Sequence, residues 1–293
     1  MSRFRLVINL LRGIRFSCQV MPGSVLIRFL WLAILVTTLS NESTAQITPP
    51  GLEGSRVAGW VALGFTQAIN SKLALATYVG TSTQSSFGDY NLLDKPAISV
   101  INQEVSYQFT PYWQAVLAGS IRSQSLYEKE APYALRNPGI RQELRTYARF
   151  FFRHKQGKIS WAHSFRPEYR RFYTADWRDW TTPLQVRLRL KSQLSVPLNT
   201  AQTTQFVVAN EVLSVIDKPT VPLAIESRWS GYRLTEDRLA LFVRHLLPKP
   251  DLWVDTGLMN QFTWDATNQK IQYTLYLSID FIFRDPFSRK ATE

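Results

Sequence analysis

Residues 184–194, LQVRLRLKSQL, decide the fold class of this chain. Leucine and valine alternate in this stretch with glutamine, arginine and lysine. Because successive side chains of a β-strand point to opposite faces of a sheet, a strand here has one apolar and one charged face. The stretch therefore predicts an amphipathic β-strand.

The same period of two recurs along the chain from residue 57 to residue 283. Three further stretches are clear: 141–153, 158–170 and 271–283. Weaker candidates cover residues 57–65, 72–80, 98–109, 113–122, 204–214, 238–247 and 253–264. Short connections between these strands alternate with long ones, except for the last connection. This pattern is typical of the periplasmic turns and extracellular loops of an outer-membrane barrel.

Two architectures use strands of this kind. In a soluble sandwich or barrel the apolar face points inward, whereas in a membrane barrel it contacts lipid and the polar face lines the interior. Strand lengths near the nine to eleven residues that cross a bilayer favour the membrane barrel. So do aromatic residues at strand ends, such as Phe109, Tyr112, Trp113, Trp253 and Trp264. We predict an all-β, single antiparallel transmembrane barrel, with a soluble periplasmic barrel as the alternative.

The expected strand number is about twelve, with ten possible, because bacterial single-chain barrels normally have an even number of strands. The periodicity itself identifies eleven strands, so one strand is missed or one is false. If the short turns are periplasmic, the missing strand precedes 57–65 and falls within residues 47–56.

Residues 1–45 have the features of a signal peptide, with Met21 as a possible true start. Arg28 precedes the apolar run FLWLAILVTTL at 29–39, and small residues follow the run before Gln46. The run is too short to cross a bilayer as a helix, which takes about 20 residues. The predicted localisation is the outer membrane of a Gram-negative bacterium.

Residues 46–293 then form the barrel domain, with 284–293 as a C-terminal tail. A content of 45% hydrophobic and 13% aromatic residues excludes disorder as the main state. The single cysteine excludes an internal disulfide framework. The net charge of +12 could suit nucleic acid, but we expect no nucleic-acid partner for an exported chain.

Four motifs and the closing strands carry a family resemblance: IRQELRTYARFF (140–151), FRPEYR (165–170), QVRLRLK (185–191), ANEVL (209–213) and the stretch from Arg238 to Phe283. Through them the chain resembles an uncharacterised barrel family of Bacteroidetes-type bacteria, domain of unknown function 2490. The resemblance implies an antiparallel barrel in the outer membrane, in contact with lipid and with the barrel-insertion machinery. It implies no substrate, reaction or catalytic residue.

If the apolar faces meet lipid, charged side chains at alternate positions line the lumen. These candidates are Glu104, Arg122, Glu143, Arg145, Arg149, Arg153, Arg166, Glu168, Arg170, Arg187, Arg189, Lys191, Glu211, Arg238, Arg244 and Asp280. Eleven are basic and five are acidic. They could pair into a structural ladder that fills the barrel, or they could draw small anionic solutes into a porin-like path.

An enzymatic function has little support in the sequence. The three histidines are His154, His163 and His245, and His163 precedes Ser164 directly, so in a strand the two side chains point to opposite faces. No nucleophile, metalloprotease or phosphate-loop motif occurs. We predict no catalytic residue, no metal and no cofactor. A lipid- or glycan-modifying barrel enzyme remains the alternative class.

The loop around residues 172–183 contains Trp177 and Trp180 among charged residues. Aromatic side chains beside polar groups can stack on sugars, so a glycan- or ligand-binding surface barrel is a further alternative. The competing interpretation is that these aromatics pack over the barrel mouth. The predicted function is thus an outer-membrane barrel with a structural role or a passive role as a small-solute channel.

Overall fold

The computed structural model describes residues 52, 55–219, 228–265 and 270–286. This part of the chain contains eleven β-strands. They are β1 (Val57–Ala68), β2 (Leu73–Gln84), β3 (Lys95–Gln108), β4 (Trp113–Tyr127), β5 (Leu135–Gln156), β6 (Ile159–Thr174), β7 (Asp179–Pro197), β8 (Thr204–Lys218), β9 (Arg233–Leu247), β10 (Leu252–Asp265) and β11 (Lys270–Arg284). The prediction of an all-β barrel is confirmed. In these residues no helix is long and apolar enough to span a membrane.

The strands form one closed barrel in which each strand pairs with its neighbour in sequence. All of these neighbouring pairs are antiparallel, and the ring closes where β1 and β11 pair in parallel, from Val57 opposite Leu275 to Thr66 opposite Arg284. Closure leaves no unpaired edge strand in the sheet.

The predicted strand number of about twelve is not confirmed, because the ring closes with eleven. The even-number expectation assumes that the first and last strands meet antiparallel. Here they meet parallel, and no strand lies between them. Of the expected additional strand at 47–56, Leu52, Ser55 and Arg56 are not in a strand, and the other positions lie outside the described residues.

The connections at the two ends of the barrel differ in length. One end, called the turn end, carries residues 69–72, 109–112, 157–158, 198–203 and 248–251. The opposite end, called the loop end, carries residues 85–94, 128–134 and 175–178, and there β8 ends, β9 begins, β10 ends and β11 begins. Some predicted loops are shorter than expected because the strands extend into them: β5 has 22 residues.

The barrel is apolar outside and charged inside. Leu117 is 68% exposed and Leu190 is 59% exposed, whereas Arg238 and Glu143 are each only 2% exposed. This orientation follows from the period of two, since each strand places its leucines and valines on one face and its charges on the other. It is the reverse of the orientation in a soluble sandwich.

The interior also contains an apolar cluster next to β1. Ala58, Ala97, Ile98, Met259 and Tyr276 form this cluster together with Leu52, which precedes the first strand. The backbone N–H of Leu52 donates to the Tyr276 hydroxyl at 2.7 Å. Leu52 therefore lies inside the barrel. The predicted signal peptide lies outside the described residues, as does the tail beyond residue 286.

Candidate functional site

The middle of the barrel interior contains a connected network of charged side chains, called here the charge belt. Its members are Arg122, Arg145, Arg166, Arg170, Arg187, Arg189 and Arg238 with Glu143, Glu168, Glu211 and Glu236. They come from six consecutive strands, β4 to β9. Seven guanidinium groups thus share four carboxylates in a space enclosed by the sheet.

Glu143 on β5 has the most complete set of partners in the belt. Arg170 binds it through two parallel hydrogen bonds, Nε to Oε1 at 2.8 Å and a terminal nitrogen to Oε2 at 2.7 Å. Arg145 donates to Oε1 at 2.8 Å, and Arg122 lies 3.6 Å from Oε2. The two-pronged contact is the strongest geometry that arginine offers a carboxylate.

Glu168 and Glu211 continue the belt around the ring. Glu168 is an ion-pair partner of Arg166 and also accepts from Arg189 at 3.2 Å. Arg189 reaches Glu211 as well, with distances of 2.9 and 2.5 Å to its two oxygens. Arg189 therefore bridges two carboxylates on different strands. Through Arg189 on β7, the belt links Glu168 on β6 with Glu211 on β8 and so connects three adjacent strands.

Glu236 is the belt member nearest the loop end, and the sequence analysis missed it. It accepts from Arg238 at 3.0 and 2.5 Å and from Gln261 at 3.1 Å, and Arg187 lies 3.6 Å away. The predicted strand at 238–247 began five residues too late, because β9 starts at Arg233. Continuing the alternation of Arg238 backward by two positions would have found Glu236.

Smaller charged groups occupy the interior nearer the turn end. Glu104 accepts from Tyr147 and from Arg149, the latter at 3.1 Å. Arg244 binds Asp255 through two hydrogen bonds of 2.8 and 2.6 Å. Asp255, a second missed acid, lies opposite both Arg244 and Asp280 in the register of the sheet.

Asp280 contacts the apolar part of the interior. It accepts from the indole N–H of Trp60 at 2.9 Å.

The predicted lumen residues Arg145, Arg153 and Lys191 are intermediate in exposure, whereas the other thirteen predicted lumen residues are buried. The structure thus places all sixteen predicted positions on strands of the barrel, and it adds Glu236, Asp255 and Arg141 to the interior set.

A cavity of about 410 Å³ lies above the charge belt at the loop end and is called here the mouth cavity. Its lining includes eight basic side chains, Lys95, Arg122, Lys129, Arg136, Arg141, Arg170, Arg187 and Arg233. Only three acids line it, Glu128, Asp217 and Glu236. The volume falls within the range of about 300–1,000 Å³ that is usual for small-molecule sites.

Aromatic rings contribute to the same cavity. Phe172 lies between two arginines: the guanidinium carbon of Arg170 is 4.7 Å from its centroid and that of Arg141 is 5.0 Å away. Of the two predicted loop aromatics, Trp180 lines the cavity. Trp177 does not: it is 51% exposed and packs against Tyr173.

The histidines lie apart from the charged interior. His154, one position beyond the predicted strand at 141–153, belongs to β5, because that strand continues to Gln156. Its ring lies beside those of Trp161 and His163, with centroids 6.2 and 5.6 Å away. His163 contacts the Ser192 hydroxyl at 3.0 Å, and in the register of the sheet Ser192 is its opposite residue on β7.

The third histidine, His245, contacts the Thr204 hydroxyl at 2.8 Å through its Nδ1. The hydrogen bonds of His163 and His245 thus involve serine or threonine hydroxyls and no carboxylate. In the described residues no group of three or more histidine, cysteine, aspartate or glutamate side chains is arranged to hold a metal ion.

A family model matches residues 58–272 of the chain and is described as "Protein of unknown function (DUF2490)". The match covers most of the barrel, from the start of β1 into β11. No curated protein matches the chain.

Proposed function

We propose that this chain, which belongs to the DUF2490 family, is an exported β-barrel protein of the outer membrane of a Gram-negative, Bacteroidetes-type bacterium. In this proposal residues 1–45 direct export and the barrel-insertion machinery places residues 46–293 in the membrane. The loop end faces the outside of the cell. The single observation that supports the proposal is the apolar outer face around a charged interior, which suits lipid outside and polar groups within.

The role that we propose for the barrel is structural or passive, without catalysis. The charge belt favours a structural contribution, because its arginines cross from strand to strand and fill the middle of the interior. Small anions enter from the loop end, where basic side chains outnumber acidic ones. Any conduction through such a filled interior is therefore expected to be weak and selective for anions.

Membrane insertion can be tested with one substitution and a matched control. Leu117 lies on the outer face of β4 and is 68% exposed, while Leu93 is 76% exposed in a loop-end connection. In a lipid-facing position, arginine costs roughly 2–4 kcal/mol near the bilayer midplane. We expect Leu117→Arg to lower the yield of heat-modifiable protein in the outer-membrane fraction, and Leu93→Arg to leave it unchanged.

Equal yields for both variants would contradict the membrane proposal, because in water an exposed leucine-to-arginine change is nearly neutral. The passive role has its own test in planar lipid bilayers. Small current steps with anion preference would support the channel role. If no current steps are seen, the channel role is refuted and only the structural role remains. Cation preference would contradict the excess of basic side chains that we assign to the interior.

A further inference from the structure

We infer that the mouth cavity is a binding site for an anionic sugar, a saccharide that carries a carboxylate or phosphate group. The residues that line the cavity support this site. Only its access from outside the cell rests on the proposed function. Three properties of the lining support this assignment: a guanidinium group with an unsatisfied donor, a set of neutral polar side chains and a set of aromatic rings.

Arg187 on β7 supplies the unsatisfied donor. Its side chain is only 11% exposed, and its nearest carboxylate oxygen, on Glu236, is 3.6 Å away. Among the described residues its Nε has no hydrogen-bond partner. A buried donor without a partner is costly, and with its nearest carboxylate oxygen 3.6 Å away the guanidinium charge is also only partly compensated. The Nε atom is itself buried, so a ligand cannot reach it directly. Because Arg187 lines the mouth cavity, an anionic group bound there can instead offset the charge of the guanidinium group.

The arginines beside it are held in place by other contacts. Arg170 is bonded to Glu143 on one side and to Gln185 on the other. Arg141 donates to Gln124 at 2.8 Å and packs on the ring of Phe172. Side chains fixed in this way lose little conformational freedom when a ligand binds, and planar guanidinium groups match carboxylate and phosphate oxygens.

Neutral polar side chains make the cavity suitable for a sugar rather than for a bare ion. The lining includes the amides Gln84, Gln124, Gln185 and Gln261 and the hydroxyls Ser85, Ser86, Ser125 and Thr182. Amides and hydroxyls both donate and accept hydrogen bonds, as sugar hydroxyls do. Several of them already have partners inside the barrel, such as Gln124 with Arg141 and Gln185 with Arg170. Amide and hydroxyl groups can take part in more than one hydrogen bond, so they can also contact sugar hydroxyls.

Aromatic rings complete the set, with Phe87, Tyr127, Tyr133, Phe172 and Trp180 in the lining. Such rings offer flat apolar faces against which the C–H face of a sugar ring can pack. Lys95 already lies over Tyr127 and Tyr133, at 5.0 and 5.1 Å from their centroids. Positive charge and aromatic faces thus stand together on one wall of the cavity.

The test is titration calorimetry on the full barrel in detergent. The probes are glucuronate and glucose 6-phosphate as anionic sugars, glucose as the neutral sugar and inorganic phosphate as the bare anion. We expect at least one anionic sugar to bind more tightly than both glucose and inorganic phosphate. The preferred anionic sugar shows whether the charged group is a carboxylate or a phosphate.

Arg187→Gln should weaken binding of that anionic sugar by about tenfold or more, since it removes a charge-assisted hydrogen bond. The matched control is Arg153→Gln, an interior arginine near the turn end that does not line the cavity. A second readout is quenching of tryptophan fluorescence when the sugar is added, which should be lost in Trp180→Phe. This variant leaves the charged interior unchanged.

Three results would overturn the inference: no heat with either anionic sugar at millimolar concentration, glucose bound as tightly as its acidic relatives, or inorganic phosphate bound as tightly as glucose 6-phosphate. Equal weakening by Arg187→Gln and Arg153→Gln would also overturn it, because the effect would then be general to the interior. Since binding is measured in detergent, its failure is separate from a failure of the membrane-insertion test on Leu117.

Discussion

Replacing Glu143 by glutamine tests whether the charge belt holds the barrel together. The substitution keeps the size of the side chain and removes only its charge. Glu143 is 2% exposed, and it meets Arg170 through two hydrogen bonds and Arg145 through one of 2.8 Å. The amide oxygen of glutamine can still accept the two bonds that reach Oε1, but its NH2 group cannot accept the bond that reaches Oε2. The close guanidinium groups also lose the negative charge that they share.

The magnitude follows from the burial of these groups. Removing one partner of a buried ion pair costs about 3–5 kcal/mol, because the remaining charge is left uncompensated. Arg170 is itself only 2% exposed, so water cannot take the place of the lost carboxylate there. If the urea dependence of unfolding is about 1–3 kcal/mol per molar, the midpoint of unfolding should fall by roughly 1–5 M.

The assay is urea unfolding of the folded barrel in detergent, followed by tryptophan fluorescence and by gel migration without heating. Glu128→Gln is the matched control. Its pair with Arg136 spans 3.9 Å, with side chains that are 56% and 41% exposed. Exposed pairs contribute only about 0–1 kcal/mol, so this variant should unfold close to the unsubstituted protein.

A double variant makes the test specific for the pair. If Glu143→Gln destabilises by leaving Arg170 uncompensated, adding Arg170→Gln should recover part of the loss, and the two effects will not add. A loss for Glu143→Gln no larger than that for Glu128→Gln would refute the reasoning. The interior would then be hydrated enough to screen its charges, and the belt would be a polar lining without a structural role.

Two further predictions concern the strands and the chain before them. Gly257→Ala should destabilise the barrel by about 1–3 kcal/mol, since an added Cβ would lie 2.2 Å from a backbone carbonyl oxygen of the neighbouring strand; Gly119→Ala, which meets nothing within 4 Å, should be neutral in the same unfolding assay. Tyr276→Phe removes the hydroxyl that accepts from Leu52, so amide hydrogen exchange at the segment before β1 should quicken. Tyr107→Phe, on the outer face, should leave that exchange unchanged, and equal rates in the two variants would contradict the anchoring role of Tyr276.

The strands could be predicted from the sequence because their signal is local. Each carries its apolar and charged residues at alternate positions, and all eleven stretches of period two correspond to strands of the barrel. Their ends could not be predicted as well. In β5 the pattern weakens before residue 141, yet the strand begins at Leu135 because β4 extends to Tyr127 and pairs with it there. Pairing with a neighbour is information that a single stretch does not contain.

The closure of the ring depends even more on distant parts of the chain. Whether Val57 meets Leu275 in parallel is decided by residues more than 200 positions apart, and neither β1 nor β11 carries a local signal for parallel pairing. Without that information the prediction relied on the even number of strands in bacterial barrels, and it therefore gave one strand too many. Leu52 is a similar case, since its place inside the barrel depends on Tyr276 and Gln261.

The alternation placed the charged residues on the correct strands, but it could not give the shape of the space between them. The mouth cavity combines Lys95 from β3, Arg141 from β5 and Arg233 from β9, which come together only when the ring closes. For the same reason, the sequence could not show which of Trp177 and Trp180 lines the cavity. They are three positions apart in one segment, and only Trp180 lines the cavity.

The distribution of charge along the barrel connects the belt with the cavity above it. Deep in the interior, carboxylates and guanidinium groups interlock, as in the contacts of Arg189 with Glu168 and Glu211. Burying a charge without a partner is costly, and the belt members that do not line the mouth cavity, four arginines and three glutamates, are close to balance. The excess of basic groups lies instead at the loop end, where eight face three acids around an open cavity. There, water can solvate the excess positive charge or an anionic ligand can neutralise it. Because Arg187 belongs to the belt and also lines the cavity, we expect a bound anion to have its largest effect at this residue.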